Sequence, residues 1–246
     1  MRNLLRYSMV AAMALPLAAQ ISVPKDEGIT RQQADEIIDE LKQIRQLLEQ
    51  QQAKSDAAPE ETPKRAKLSL QGAPMIGDKN APLTMVEFTD YECPFCNQFY
   101  SATFPELKKN YIDTGKMRFY SRDLPLDFHP DSMRAAQAGR CAAEQGQFWK
   151  MRDLMAASPD KLDMDSLVAD AGNLKLDVKA FRACVESEKT KDAVQADVLD
   201  AVKIGADGTP TFVVGKSTAD GVDGTMIVGA LPYETFDRAL KNPDPK

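Results

Sequence analysis

The spacing of apolar and polar positions changes period several times along the chain, and each change marks an element. From Ile29 to Gln51 there is neither Pro nor Gly, and the positions Ala34, Ile37, Leu41, Ile44, Leu48 and Gln51 alternate steps of three and four. That is a heptad seam of about two and a half repeats. It predicts a helix that either pairs with copies of itself or behaves as an ordinary amphipathic helix. Residues 52–67 carry charge and proline with almost no bulky apolar side chain, the composition of a flexible linker.

Past the turn signals Gly72-Ala-Pro and Gly77-Asp-Lys-Asn-Ala-Pro, Leu83 to Thr89 alternates and then clusters Val, Phe and Thr, as a largely buried strand does. Pro94 to Tyr111 predicts a helix, with Pro94 at an early position where its missing N–H costs nothing and Pro105 kinking it. Lys116 to Ser121 alternates as a second strand. A mostly helical block follows from about Asp131 to Ile204, broken near Gly146, Ser158-Pro159 and Gly172-Asn173. Strand patterns return at Thr211–Val214 and Thr225–Val228, and a last helix is expected over Tyr233–Leu240. Strand, helix, strand, helical block, two strands and helix make an α/β order with an inserted helical lobe.

The first residues change the picture of where such a chain works. Arg2 and Arg6 precede the apolar run Met9–Ala19, which is broken by Pro16 and shorter than the roughly 20 residues a membrane-crossing helix needs. The expectation is a cleaved export signal over residues 1–20, cut after Ala18, Ala19 or Gln20, and a periplasmic or otherwise extracytoplasmic product. The expected domains are then the signal, an N-terminal helix over 21–51, the linker over 52–67 and one globular domain over 68–246. Net charge is -6 for the whole chain and -8 once Arg2 and Arg6 are removed. A surface of that sign argues against nucleic acid as a partner.

Outside the cytoplasm the four cysteines meet an oxidising environment. Cys93-Pro94-Phe95-Cys96 lies at a strand-to-helix junction, where backbone N–H groups without a helical partner stabilise a thiolate on the first sulfur. The thiolate is the species that attacks and leaves in disulfide exchange. Structural zinc wants about four ligands at recognisable spacing, whereas the remaining thiols, Cys141 and Cys184, are single and His129 is the only histidine. Exchange chemistry is therefore preferred, with no cofactor and no metal. His129 stands at a loop-to-helix junction far in sequence from the pair and is read as structural, and Phe148 and Trp149 as core.

Three motifs in order, Thr89-Asp-Tyr-Glu-Cys-Pro-Phe-Cys96, Gln145-Gly-Gln-Phe-Trp149 and Gly208-Thr-Pro-Thr-Phe212, resemble the DsbA-like branch of the thioredoxin superfamily over about residues 72–242. The resemblance implies an α/β thioredoxin-like fold with an inserted helical domain at about 131–204, preceded here by the N-terminal helix on its linker. It implies a cis bond at Thr209-Pro210, in a loop that holds client backbone beside Pro94 and Phe95. It matches Glu87 to a buried acid able to relay a proton to the resolving thiol. It also suggests a structural disulfide between Cys141 and Cys184, against the alternative of two buried free thiols.

One position departs from the family's strong oxidants, which carry histidine where this chain has Phe95. A phenyl ring neither donates a hydrogen bond to a thiolate nor carries charge, so a weaker oxidant than DsbA is expected. The activity implied is oxidation of cysteine-containing secreted proteins, with a membrane-bound redox partner restoring the disulfide. The alternatives are a disulfide isomerase or reductase, made oligomeric through residues 29–51 and kept reduced by a membrane donor, and a non-catalytic chaperone or tether.

Overall fold

A computed structural model describes residues 29–57 and 64–243. The expected signal segment, 1–20, and residues 58–63 of the expected linker lie outside the described residues. The chain divides into two units, residues 1–59 and 60–246.

The described part of the first unit is one helix, α1 (Arg31–Ala57). Thr30 and Gln33 start it reciprocally: the Gln33 N–H donates to Thr30 Oγ1 at 3.2 Å, and the Thr30 N–H donates to Gln33 Oε1 at 3.0 Å. This exchange satisfies two N–H groups at the helix start. Ile37, Leu41, Ile44 and Leu48 of the heptad seam are all exposed.

The second unit is built on a six-stranded mixed sheet of β1 (Arg65–Ser69), β2 (Met75–Ile76), β3 (Leu83–Thr89), β4 (Met117–Asp123), β5 (Thr211–Ser217) and β6 (Gly221–Val228). The strand order is β1-β6-β5-β3-β4-β2. Among these described strands β3 and β4 run parallel, and every other neighbouring pair is antiparallel. The linker reading over 52–67 is corrected at both ends. Helix α1 continues through Ala57, and Arg65–Lys67 belong to β1. A weak alternation explains the second error: Ala66 and Leu68 point inward while Arg65, Lys67 and Ser69 are exposed. Their partner, β6, is distant in sequence, so the pairing is a tertiary effect that local composition does not report.

Strand β3 is central and buried on both faces. Met85 joins a cluster with Phe99, Phe119, Phe212 and Phe236, while Val86 and Phe88 join Leu68, Val213, Ala201 and Val222. Glu87 follows the period-two alternation onto the Met85 side. After β3 the chain enters α2 (Pro94–Gln98), a π-helical turn (Phe99–Thr103), α3 (Phe104–Leu107) and a second π-helical turn (Lys108–Ile112). Pro105 accounts for the first irregularity. It offers no N–H to the Ser101 carbonyl, and the Phe104 N–H reaches back five residues to Phe99.

The helical lobe comprises α4 (Ser132–Glu144), α5 (Phe148–Ala157), α6 (Met164–Asn173), α7 (Val178–Val185) and α8 (Glu188–Ile204). It has its own core of Tyr91, Ala135, Ala138, Met151, Met155, Leu167, Phe181 and Val194. Buried and half-buried ion pairs fasten it to the sheet. Arg122 of β4 binds Asp197 and Asp200 of α8, and Arg140 of α4 binds both Asp123 and Asp197. Helix α9 (Tyr233–Lys241) closes the unit by packing Phe236 and Leu240 on the Phe99 side.

Candidate active site

Three segments meet at the C-terminal end of β3. The first is the turn from Asp90 into α2, whose N-cap is Cys93 in extended conformation (φ -72°, ψ 121°), with Pro94 in the first turn. Both Cys93 and Cys96 are free thiols and both are buried, while Phe95 between them is 60% exposed. The second is the loop after α8, which stops at Gly205 in the left-handed region (φ 71°). It leads into a cis peptide bond at Thr209-Pro210, as the family resemblance implied. Cys93 Sγ lies 3.5 Å from the Thr209 carbonyl oxygen.

The third segment, the loop from Leu124 to Asp131, is laced onto the active-site turn. The Leu126 N–H donates to Asp90 Oδ2 at 2.8 Å, and the Asp131 N–H donates to Glu92 Oε2 at 2.9 Å. His129 Nδ1 also sits 2.8 Å from Asp90 Oδ2. Because a carboxylate only accepts, Nδ1 carries the hydrogen in this contact. The Asp90 carbonyl accepts from the Cys93 N–H at 3.1 Å, and the Asp90 N–H points at Cys96 Sγ from 3.4 Å. His129, far in sequence from the pair, is brought by this loop against the residue that shapes the turn around both sulfurs.

The two sulfurs have opposite electrostatics. Cys93 is pulled down to about 5, first by the Cys96 thiol donating to it and then, against the effect of burial, by Thr209 and by the N–H groups of Cys96 and Phe95. Cys96 is pushed well above the ordinary thiol value by burial, by its hydrogen bond to Cys93 and by the charge on Glu87. Such an arrangement stores one thiolate and one proton side by side. The helix-start N–H groups act as sequence reasoning expected, but the neighbouring thiol contributes more.

Glu87 is fully buried, so the alternative of a carboxylate in water fails. Burial raises its carboxyl group above the ordinary range, and Arg152 partly offsets the rise. Arg152 Nη2 donates to Glu87 Oε2 at 2.5 Å. Sequence reasoning missed this partner because Arg152 lies 65 residues downstream on α5. Its signal was faint: an arginine three residues beyond Trp149, just past a motif already singled out.

Cys141 and Cys184 form a disulfide between α4 and α7, with their Cα atoms 5.8 Å apart. Phe148 is buried and Trp149 partly buried, the latter donating from Nε1 to the Met75 carbonyl at 3.1 Å.

A dithiol at a helix start, facing a cis-proline loop on a sheet with an inserted helical lobe, defines the DsbA-like class of thioredoxin-fold proteins. A family model described as Thioredoxin matches residues 69–242, and the chain belongs to that family. The crystal structure of alpha-DsbA1 from Wolbachia pipientis is similar, with a TM-score of 0.64 at 26% identity, covering 72% of this chain and 92% of that one. The probable disulfide bond formation protein D of Bacillus anthracis is 31% identical over 155 residues, 59% of this chain and 70% of that protein. A Na(+)/H(+) antiporter NhaA 3 of Salinispora tropica is 35% identical over 169 residues, 68% of this chain. The chain spans 25% of that antiporter's length.

Proposed function

We propose that this chain is an exported thiol-disulfide oxidoreductase that oxidises cysteine-containing proteins outside the cytoplasm. The observation carrying the reading is the placement of Cys93 at the start of α2, 3.5 Å from the Thr209 carbonyl of the cis-proline loop, with Cys96 buried beside it, an arrangement that pulls Cys93 down to about 5 and pushes Cys96 up. In the oxidised enzyme a client thiolate attacks Cys93 Sγ. The Cys93–Cys96 bond breaks, and Cys96 leaves and takes a proton that Glu87 supplies. A second client thiolate then attacks the client sulfur of the mixed disulfide, and Cys93 departs as its stabilised thiolate. Two electrons have passed from client to enzyme, and a membrane-bound redox partner removes them.

Pro94 and Phe95, next to the attacked sulfur in sequence, and Thr209 and Pro210, whose loop brings the Thr209 carbonyl within 3.5 Å of it, are read as the client-docking segments, with exposed Phe95 offering apolar contact. The reduction potential of the pair tests the direction of chemistry. A value between that of DsbA, about -120 mV, and that of thioredoxin, about -270 mV, is expected, because Phe95 withholds the donor a histidine would supply. Efficient oxidation of a reduced dithiol peptide supports the oxidase reading. Insulin reduction without peptide oxidation would overturn it.

One observation favours a second reading. The exposed Ile37, Leu41, Ile44 and Leu48 seam of α1 suits self-association, and several sites held together suit an isomerase. Light scattering with and without residues 21–67 separates the two, since a monomer in both forms removes the support for isomerase action.

A further inference from the structure

Arg152 heads the fully buried side chains of the described residues by volume. Burying a guanidinium is expensive unless its donors find partners, so its place is informative. Nη1 donates to Ser121 Oγ at 2.8 Å and Nη2 to Glu87 Oε2 at 2.5 Å. Its planar head lies 4.3 Å from the Tyr100 ring centroid and 5.8 Å from those of Phe119 and Trp149. Tyr100 in turn follows α2, the helix that carries Cys96. One cation from the helical lobe thus touches the strand acid and the segment continuing the helix of the resolving thiol. The second Glu87 oxygen, Oε1, is buried and makes no direct hydrogen bond of its own in the protein, while the nearby Thr89 side chain on β3 joins Arg152 in favouring the charged carboxylate.

We propose that Arg152 is a positioning residue for thiol exchange, gripping Glu87 by Oε2 so that Oε1 remains to trade a proton with Cys96. The inference rests on Cys93 and Cys96 exchanging disulfides and on Glu87 as the group that shares a proton with Cys96, giving it when Cys96 leaves and taking it back when Cys96 attacks. When Cys93 holds a mixed disulfide in the reducing direction, the Cys96 thiol gives its proton to Glu87 Oε1. The resulting thiolate attacks Cys93 Sγ, the Cys93–Cys96 bond forms, and the partner leaves as a thiolate. Arg152 favours this step by offsetting part of the burial effect that raises the Glu87 carboxyl. Without it, burial alone would favour the protonated acid, which cannot accept.

Among the described residues, the charged and titratable groups that act on Glu87 include Arg152 from α5, Cys93 and Cys96 at the start of α2, Tyr91 from the turn and Tyr100 from the π-helical turn. The pairs it makes across the sheet, Ser121 on β4 and Phe212 on β5, are uncharged. A shift in the pH dependence of resolution therefore reports on these groups.

Dithiobis(nitrobenzoate) separates the two half-reactions of the reduced, full-length protein. Attack by Cys93 releases one coloured thiolate, and resolution by Cys96 releases the second. For Arg152→Met the second release should slow by at least about tenfold near neutral pH, and its rise with pH should move upward, while the first changes by less than about twofold. Arg152→Lys should recover most of the rate, and Arg152→Met should add nothing in a Glu87→Gln background. Wild-type resolution in Arg152→Met, or equal slowing with and without Glu87, would overturn the proposal. Should Arg152→Met fail to fold, the charge-matched Glu87→Gln/Arg152→Met protein against Glu87→Gln alone gives the answer: equal rates support it, and further slowing overturns it. A wild-type protein that releases no first thiolate would instead defeat the reading of Cys93 on which the inference rests.

Discussion

The protein holds two pairs of cysteines, and they occupy environments that have almost nothing in common. Cys141 and Cys184 bridge α4 and α7 within the helical lobe, 43 residues apart in sequence, with Thr190 Oγ1 and the exposed Glu144 carboxylate as neighbours. Cys93 and Cys96 stand at a helix start, under a cis-proline loop and beside a buried acid. The first pair joins elements that would otherwise be free to separate in the unfolded chain. The second closes too small a ring to constrain much, yet its surroundings separate the proton affinities of its members. What a cysteine pair does is decided by the donors and charges around it.

Removing members of each pair should expose this contrast most strongly. Cys93→Ser should reduce insulin reduction and peptide oxidation to the uncatalysed background with the fold retained, as circular dichroism would report. Residual exchange at a substantial rate would move the chemistry to the other pair. The double variant Cys141→Ser/Cys184→Ser should keep its exchange activity but lose about 2–4 kcal/mol in denaturant unfolding, the range for a loop of this size. Lost activity with unchanged stability would reverse the roles assigned here.

A pH effect sharpens the same contrast. Cys93 lies at about 5 in the folded reduced protein against an ordinary value of 9.0. That depressed value favours the folded reduced form increasingly as pH climbs from about 5 towards 9.0, above which the raised Cys96 thiol acts in the opposite sense, and the Cys93 contribution fades as pH falls through about 5. The oxidised protein has no such group. The stability gap between reduced and oxidised forms should therefore move in favour of the reduced form as pH climbs through that window, whereas the Cys141–Cys184 bridge adds no such slope. Parallel unfolding curves at each pH for the two forms would contradict it.

The smallest expected change comes from Phe95→His. It adds a donor beside Cys93 and should raise the reduction potential by tens of millivolts, with about 30 mV corresponding to 1.4 kcal/mol. A potential that falls would show that the exposed ring was stabilising the thiolate by some other route.

Much of this arrangement was legible in the chain because it is local. Pattern reading placed β3 over Leu83–Thr89, and Pro94 opens α2 as its ring predicts. The Thr209-Pro210 loop and the Cys141–Cys184 bridge came through motif resemblance, since nothing in spacing alone selects a cis bond or a pairing. What stayed hidden depends on contacts between distant residues. β1 needs β6, Glu87 needs Arg152, and Asp90 needs His129 from a loop 39 residues on. A buried ion pair leaves no periodic mark, because either partner read alone resembles an ordinary surface charge.

The most direct test is the pH dependence of thiolate absorbance and of iodoacetamide alkylation at Cys93 in the reduced protein. Both should titrate with a midpoint near about 5, and alkylation should remain fast in mild acid while Cys96 is unlabelled. A midpoint near the 9.0 of an ordinary thiol, with Cys93 and Cys96 labelled at similar rates, would contradict the account at its centre.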